Sequence, residues 1–392
     1  MIRILKKLTK PMWATALGLA LGAVVAPAQS LDDLNIQLHG YATQGFLYST
    51  NNNLFTTSSS NGSPAWTEAV VNVGAQPIPK LRIGVQARYE LLGNLANEIT
   101  LDWAAADYKA NDKFGVRFGK VKVPSGLFNE ISDIDPSYQW ALLPQSVYPL
   151  TSRNSQLATY GGVFYGTAGL PGRLGKLEYR GWSGAVVLTS NDGYFVALVE
   201  DGFTFPNGLT TVKSGGALHW KTPLSGLMVG ASLISRDHER GTLDAGSATG
   251  KLLPNRRTEP DYFAKYEKDK LMVAAEINRI PVSATLQLGP GPGSPSRFDF
   301  RGGFAMATYK VTGKLTVGAY NSEYFDKAAA LGPARYSKDW TISGRYDFNQ
   351  FLYAKAEEHF IEGTDIVYDA DLNPNGLKPN TKLTILKVGV SF

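Results

Sequence analysis

The chain has 392 residues, no cysteine, and 39 Lys and Arg against 34 Asp and Glu. Disulfides are therefore excluded, and stability must come from backbone pairing and burial. Four of the basic residues, Arg3, Lys6, Lys7 and Lys10, crowd the extreme amino terminus; the other 35 nearly balance the 34 acids, which removes the electrostatic case for nucleic-acid binding.

Those four residues form a basic n-region. Met12 to Val25 is an apolar h-region too short to span a bilayer, and Ala26-Pro27-Ala28 has small residues where a signal peptidase needs them. The expectation is a cleaved secretory signal over residues 1–28 and an outer-membrane β-barrel over 29–392. No other run of 18 apolar residues occurs, so no transmembrane helix is predicted.

From Leu34 onward, segments with a period of two recur. Leu81, Ile83, Val85, Ala87, Tyr89 and Leu91 alternate with Arg82, Gly84, Gln86, Arg88 and Glu90. Ile99, Leu101 and Trp103 alternate with Glu98, Thr100 and Asp102; the same holds for Leu271–Ile277 and for Trp340–Phe348. Alternation puts one set of side chains on each face of a strand. Runs of about ten residues with charged polar faces fit a tilted membrane strand around an aqueous lumen better than a soluble sheet.

The connections divide into two kinds. Seven are tight and rich in Gly, Pro, Asn and Asp: 76–80, 109–113, 172–175, 222–226, 268–270, 312–314 and 347–350. Eight others, mostly longer, alternate with them, near 50–65, 92–97, 124–159, 185–214, 237–256, 280–297, 325–338 and 363–381. Fifteen connections give 16 strands in an all-β transmembrane antiparallel barrel. Gly193–Phe205 could add a hairpin, making 18, or form a short loop helix. Leu386, Val388, Val390 and Phe392 give the last strand one apolar face, predicted to meet lipid while the strand pairs with Leu34–Ser49.

The third long connection, from Pro124 to about Thr159, carries Phe128, Ile131, Ile134, Tyr138, Trp140, Leu142, Leu143 and Tyr148. A disordered loop would not hold so many apolar side chains. It is expected to fold back into the barrel and narrow it.

The strand that opens this loop reads Arg-x-Gly-Lys-x-Lys-x-Pro-x-Gly, with Arg117, Gly119, Lys120, Lys122, Pro124 and Gly126. That motif, at a strand end before a long third loop of a 16-stranded barrel, resembles the porin superfamily that includes the phosphate-selective porins. The match is at motif level over roughly residues 114–150. The resemblance implies passive diffusion of small hydrophilic solutes and ions through a water-filled channel, a homotrimer, and outer-membrane lipid as surroundings. The terminal Phe392, with Leu386, Val388 and Val390, resembles the signal read by the barrel-assembly machinery. No basic run is dense enough to carry phosphate selectivity across.

Selectivity in such a channel is a matter of charge at the constriction. Alternation places Arg82, Arg88, Arg180, Lys221, Lys265, Arg301, Arg345 and Lys355 inward, with Glu90, Glu98, Asp102, Glu178, Glu276, Asp299, Asp347 and Glu357. The specific expectation is a transverse field, with Glu130, Asp133 and Asp135 on the loop facing Arg82, Arg88 and Arg117 on the wall. Val116 and Phe118 face out, which would send Lys120 and Lys122 out too; a bulge at Gly119 is expected to reset the phase and turn both lysines in.

Enzyme chemistry is not expected. His39, His219, His238 and His359 show no metal-ligand spacing, no Gly-x-Ser-x-Gly is present, and Gly289–Pro295 lacks the Lys-Ser/Thr of a phosphate cradle. Neither cofactor nor metal is implied. A rival to the diffusion channel is a barrel closed by its loops, with a structural or adhesive role or carrying apolar substrates. The third loop discriminates: a charged eyelet favours the channel, whereas a seal by Phe128, Trp140 and Tyr148 favours the closed barrel.

Overall fold

The computed structural model describes residues 34–188, 192, 202–246, 248–365 and 371–392. The expected leader, residues 1–28, and most of Gly193–Phe205 lie outside the described residues. One antiparallel sheet contains β1 (Gln37–Ser49), β2 (Ser63–Ile78), β3 (Leu81–Leu92), β4 (Ala96–Asn111), β5 (Phe114–Lys122), β6 (Ala158–Gly169) and β7 (Lys176–Leu188). It continues through β8 (Phe203–Thr204), β9 (Leu209–Lys221), β10 (Leu227–Ala245), β11 (Ala248–Pro254), β12 (Arg257–Lys268), β13 (Leu271–Leu288) and β14 (Ser294–Lys310). The last four are β15 (Leu315–Asp326), β16 (Tyr336–Asp347), β17 (Leu352–Gly363) and β18 (Asn380–Ser391). β8 and β11 are short additions that pair with the loop end of β10, which leaves 16 wall strands.

The sheet closes where β1 pairs with β18, from Tyr41 opposite Ser391 to Ser49 opposite Leu383. Closure removes the free edges that would otherwise seek partners. All seven tight turns fall at one end of the barrel, and the longer connections fall at the other. β10, β13 and β14, with 19, 18 and 17 residues, are longer than a bilayer crossing needs and rise above the belt at the loop end.

The outer face is apolar and exposed. Phe118, Tyr160, Phe164, Tyr262, Ile277, Trp340, Ile342, Leu386, Val388 and Phe392 all stand on it. In water this surface would be far larger than soluble proteins expose; against lipid it is the expected one.

Two alternations differ from the sequence expectation. In β4, Gln86 lies opposite Trp103 and Ala87 opposite Leu101, so Asp102 is an extra residue in a bulge. Asp102 and Trp103 consequently both point inward, and Trp103 joins the lumen wall beneath Gly84. In β14, Asn278 pairs with Gly302, whose Cα abuts Ser146 in the lumen. That register puts Phe304 and Met306 inside and sends Asp299 and Arg301 to the outer face, where Asp299 bridges Arg279 (2.6 Å) and Arg301 (3.0 Å). The polar side of this strand is its outer side near the loop end, because its inner side packs on apolar loop residues.

Candidate functional site

Residues 123–157, between β5 and β6, lie against the inward faces of the wall strands. The segment contains three single turns, Asp135–Ser137, Leu150–Ser152 and α1 (Arg153–Leu157). Leaving β5, it passes close to the wall: the Asn129 side-chain amide donates to the carbonyl of Val123 (2.7 Å), and Gly126, at φ +62°, sits where a Cβ would strike Glu276 and Tyr148. Only a glycine fits that close approach.

The segment's first anchor is Asp133, which is 1% exposed. Its carboxylate accepts from Lys122 Nζ (2.7 Å) and from Gln86 Nε2 (2.7 Å), while Tyr41 donates to its carbonyl (3.0 Å). The second is Asp135, also 1% exposed. Lys355 (3.0 Å) and Lys387 (2.7 Å) flank it, and the Tyr353 hydroxyl donates to it (2.7 Å). Burial pushes the Asp135 carboxyl up, but the two ammonium groups outweigh burial and hold it well below the usual carboxylate range. Lys355 also donates to the carbonyls of Asp135 and Trp140 (both 2.8 Å), and Lys387 continues to Glu68 (3.0 Å) above the Trp66 ring. Arg345 donates to the carbonyls of Pro136 and Tyr138 (both 2.8 Å).

Farther round, Glu357 accepts from the backbone N–H groups of Ala141 (2.8 Å) and Leu142 (3.0 Å). His359 lies behind it, fully buried between Glu357 (3.3 Å) and Asp339 (2.8 Å), with Thr341 at 2.9 Å. The third anchor is apolar. Phe128, Tyr148 and Phe304 meet with ring centroids about 6 Å apart, and Trp140 sits edge-on to Tyr320 at 4.9 Å. Leu143, Val147, Ala274 and Met306 complete that cluster. The Tyr148 hydroxyl donates to Glu276 (2.7 Å); burial and the Glu276 charge push it up, so it keeps its proton. On its return, Arg153 makes a bidentate pair with Asp102 (3.0 and 3.0 Å), Asn154 accepts from Arg88 (3.0 Å), and Lys213 donates to the Gln156 carbonyl (3.1 Å).

The contacts thus run to β1, β3, β4, β9, β13, β14, β15, β16, β17 and β18, around much of the wall. Two of the cavities at this level hold only about 40 and 10 Å³, room for one or two waters. Toward the short-turn end a larger cavity of about 410 Å³ opens, lined by Arg82, Trp103, Asp107, Arg117, Lys122 and Glu130 among others. Glu130 bridges Arg117 (3.1 Å) and Arg180 (3.7 Å) there, and Asp107 pairs with Arg117 (2.9 Å).

Several expected positions therefore need correction. Arg82, Arg117, Lys122 and Glu130 lie together on the wall of the 410 Å³ cavity. Asp133, Asp135 and Arg88 are each 1% exposed, and their charges are met at contact distance by partners instead of facing one another across water. Arg88 spends its guanidinium on Glu90, Asp102 and Asn154. Lys120 is on the outer face: it pairs with Tyr160, lies over that exposed ring at 5.5 Å and donates to the carbonyl of Leu101. Gly119, at φ +129°, does not reset the strand, since Phe118 and Lys120 stay on one face. Lys122 turns inward only as β5 ends, where Asp133 draws its ammonium. Arg345 reaches the lumen as expected but is committed to loop carbonyls and to Asp347 (2.9 Å). Leu386, Val388, Val390 and Phe392 all face outward.

A closed antiparallel 16-stranded barrel with an apolar outer belt and a charged interior is the porin fold. Among solved structures, the chain is similar to OmpF of Salmonella typhi in complex with daunomycin, with 12% identity, 93% of this chain and 99% of that one covered, and a TM-score of 0.56. It is also similar to an anion-selective porin from Comamonas acidovorans (11%, 91% and 99%, 0.53) and to the outer membrane channel DcaP of Acinetobacter baumannii (11%, 94% and 100%, 0.53). At such identities the likeness is one of fold. No protein-family model and no curated protein matches the chain.

Proposed function

We propose that this is an outer-membrane barrel of the porin type, not an enzyme, whose lumen is held narrow by residues 123–157. It passes water, ions and the smallest hydrophilic solutes at a low rate through the vestibule rather than serving as a wide diffusion pore. The observation that carries the reading is the way the segment is fastened around the wall: ionic at Asp133 and Asp135, aromatic at Phe128, Trp140 and Tyr148. The packing of those three aromatic residues on Phe304, Met306 and Tyr320 supports a narrowed lumen over a wide eyelet. Arg82, Arg117, Lys122 and Glu130 are the residues that set ion preference, in the vestibule. Neither a catalytic base nor a nucleophile is accessible at His359, which is buried in a carboxylate-bound network. The fold also supports export behind a cleaved leader and assembly by the barrel-assembly machinery.

Reconstitution in planar bilayers tests the reading. Purified barrel should give small current steps, and replacing residues 126–150 with a short Gly-Ser linker should raise them severalfold. A large step in the unaltered protein would overturn it.

A further inference from the structure

The 410 Å³ cavity toward the short-turn end has a flat floor. Gly74, Gly84 and Ala105 lie in one register row across β2, β3 and β4, and all three line it. No side chain in that row is longer than a methyl, so the floor is little more than backbone. The Trp103 ring stands at its loop-side edge, where a Cβ on Gly84 would lie 2.9 Å from the indole. The extra residue at Asp102 is what turns that ring inward.

The opposite edge is Arg82, two residues along β3 and about 7 Å from Gly84. Its natural partner is Asp107, directly across on β4. Asp107, however, gives its two oxygens to Arg117 (2.9 Å) and to the Tyr165 hydroxyl (2.5 Å). Glu130 is taken by Arg117 (3.1 Å) and Arg180 (3.7 Å), and Lys122 is taken by Asp133 (2.7 Å). The other charges on this wall are thus matched. Arg82 is exposed and has no carboxylate within ion-pair distance among the described residues.

A guanidinium presents a planar fork that matches a carboxylate, and an indole prefers an aromatic ring against it. Here the two stand at opposite edges of a flat floor, in a cavity of the size that small-molecule sites have. We infer that this cavity binds a small organic carboxylate carrying a flat ring. The carboxylate takes the Arg82 fork, and the ring lies on Gly74, Gly84 and Ala105 with its edge against Trp103. Acetate reaches Arg82 but leaves the floor and the indole bare. An uncharged ring covers the floor but leaves the guanidinium without its anion.

This site rests on the narrow-channel reading above, whose vestibule it shares, and the test separates the two. Purified barrel in detergent, its folding verified by heat-modifiable migration, is titrated calorimetrically with benzoate, acetate and benzyl alcohol. Benzoate should bind about tenfold more tightly than either of the others. Arg82→Gln should remove its advantage over benzyl alcohol. At Gly74 a Cβ would meet only the Ile83 carbonyl, at 3.9 Å, so Gly74→Leu enters the cavity without a collision and should remove the advantage over acetate. Equal binding of benzoate and acetate, or benzoate binding that survives both substitutions, would overturn the site. Folded barrels that give small current steps and show no preference for benzoate would overturn the site and leave the narrow channel standing. Large steps from barrels that hold benzoate through Arg82 would overturn the narrow channel and leave the site standing.

Discussion

Residues 123–157 are held by two unlike regions. Along β17 and β18 the contact is ionic: one carboxylate, Asp135, between two buried lysines and a tyrosine. Along β13 to β15 it is aromatic: Phe128, Trp140 and Tyr148 against Phe304, Met306 and Tyr320. Burying an ion pair costs desolvation that its attraction only partly recovers, so the ionic side contributes little net stability while intact. Its leverage comes from what is left behind when a partner is removed, namely an uncompensated charge. The aromatic side behaves oppositely, contributing in proportion to area and losing it gradually as volume is trimmed. The ionic contact fixes where the segment sits; the aromatic contact supplies much of the energy that keeps it there.

Perturbations should rank accordingly. Asp135→Ala, which leaves Lys355 with no carboxylate and Lys387 with Glu68 alone, should cost about 3–5 kcal/mol and open the barrel, read as a lower Tm in detergent together with frequent large current steps. Replacing the whole ionic group, with Asp135→Leu, Lys355→Met, Lys387→Met and Glu68→Gln, should cost much less, because Glu68 is the other carboxylate that Lys387 holds and no charge of the group is then left unpaired; equal loss in both variants would show that the pairing itself stabilises. Phe128→Ala should cost a comparable 3–5 kcal/mol, read as a lower Tm, with less effect on the current, since the ionic anchor still positions the segment. Tyr148→Phe, which removes the donor to Glu276, should cost about 1–3 kcal/mol.

Acid should act weakly on the ionic side. The Asp135 carboxyl is held below its unfolded-state value of about 3.9, so its contribution is complete above that pH and is lost as pH falls through the lower folded value. Current steps should stay small at pH 5 and grow only below about pH 3.5. Arg82→Ala should shift the reversal potential in a salt gradient by a few millivolts without changing stability. Lys120→Gln, on the outer face, should leave conductance unchanged.

Much of the fold was legible from the residues. Tight turns such as Lys268–Lys270 and Asp347–Gln350 announce themselves through backbone chemistry that is local, and the outward Leu271–Ile277 and Trp340–Phe348 sets alternate as lipid demands. The failures have one physical origin. Where a segment fills the lumen, the wall beneath it turns apolar, so Phe304 and Met306 look lipid-facing while the exposed Arg301 looks like a pore residue. A single bulged residue, Asp102, then reverses the rest of β4 and brings Trp103 inside. The candidate site was legible as composition but not as pairing. The aromatic content of 124–159 pointed to burial, yet nothing in Asp133 or Asp135 tells whether the carboxylate meets water or Lys122, Lys355 and Lys387, which lie as many as 252 residues away.

The central claim is that residues 123–157 hold the lumen narrow. Single-channel current in symmetric molar KCl, compared between the intact barrel and one with residues 126–150 replaced by a Gly-Ser linker, tests it most directly. Steps that are small in the intact barrel and several times larger after replacement are predicted. Large steps of equal size in both would contradict it.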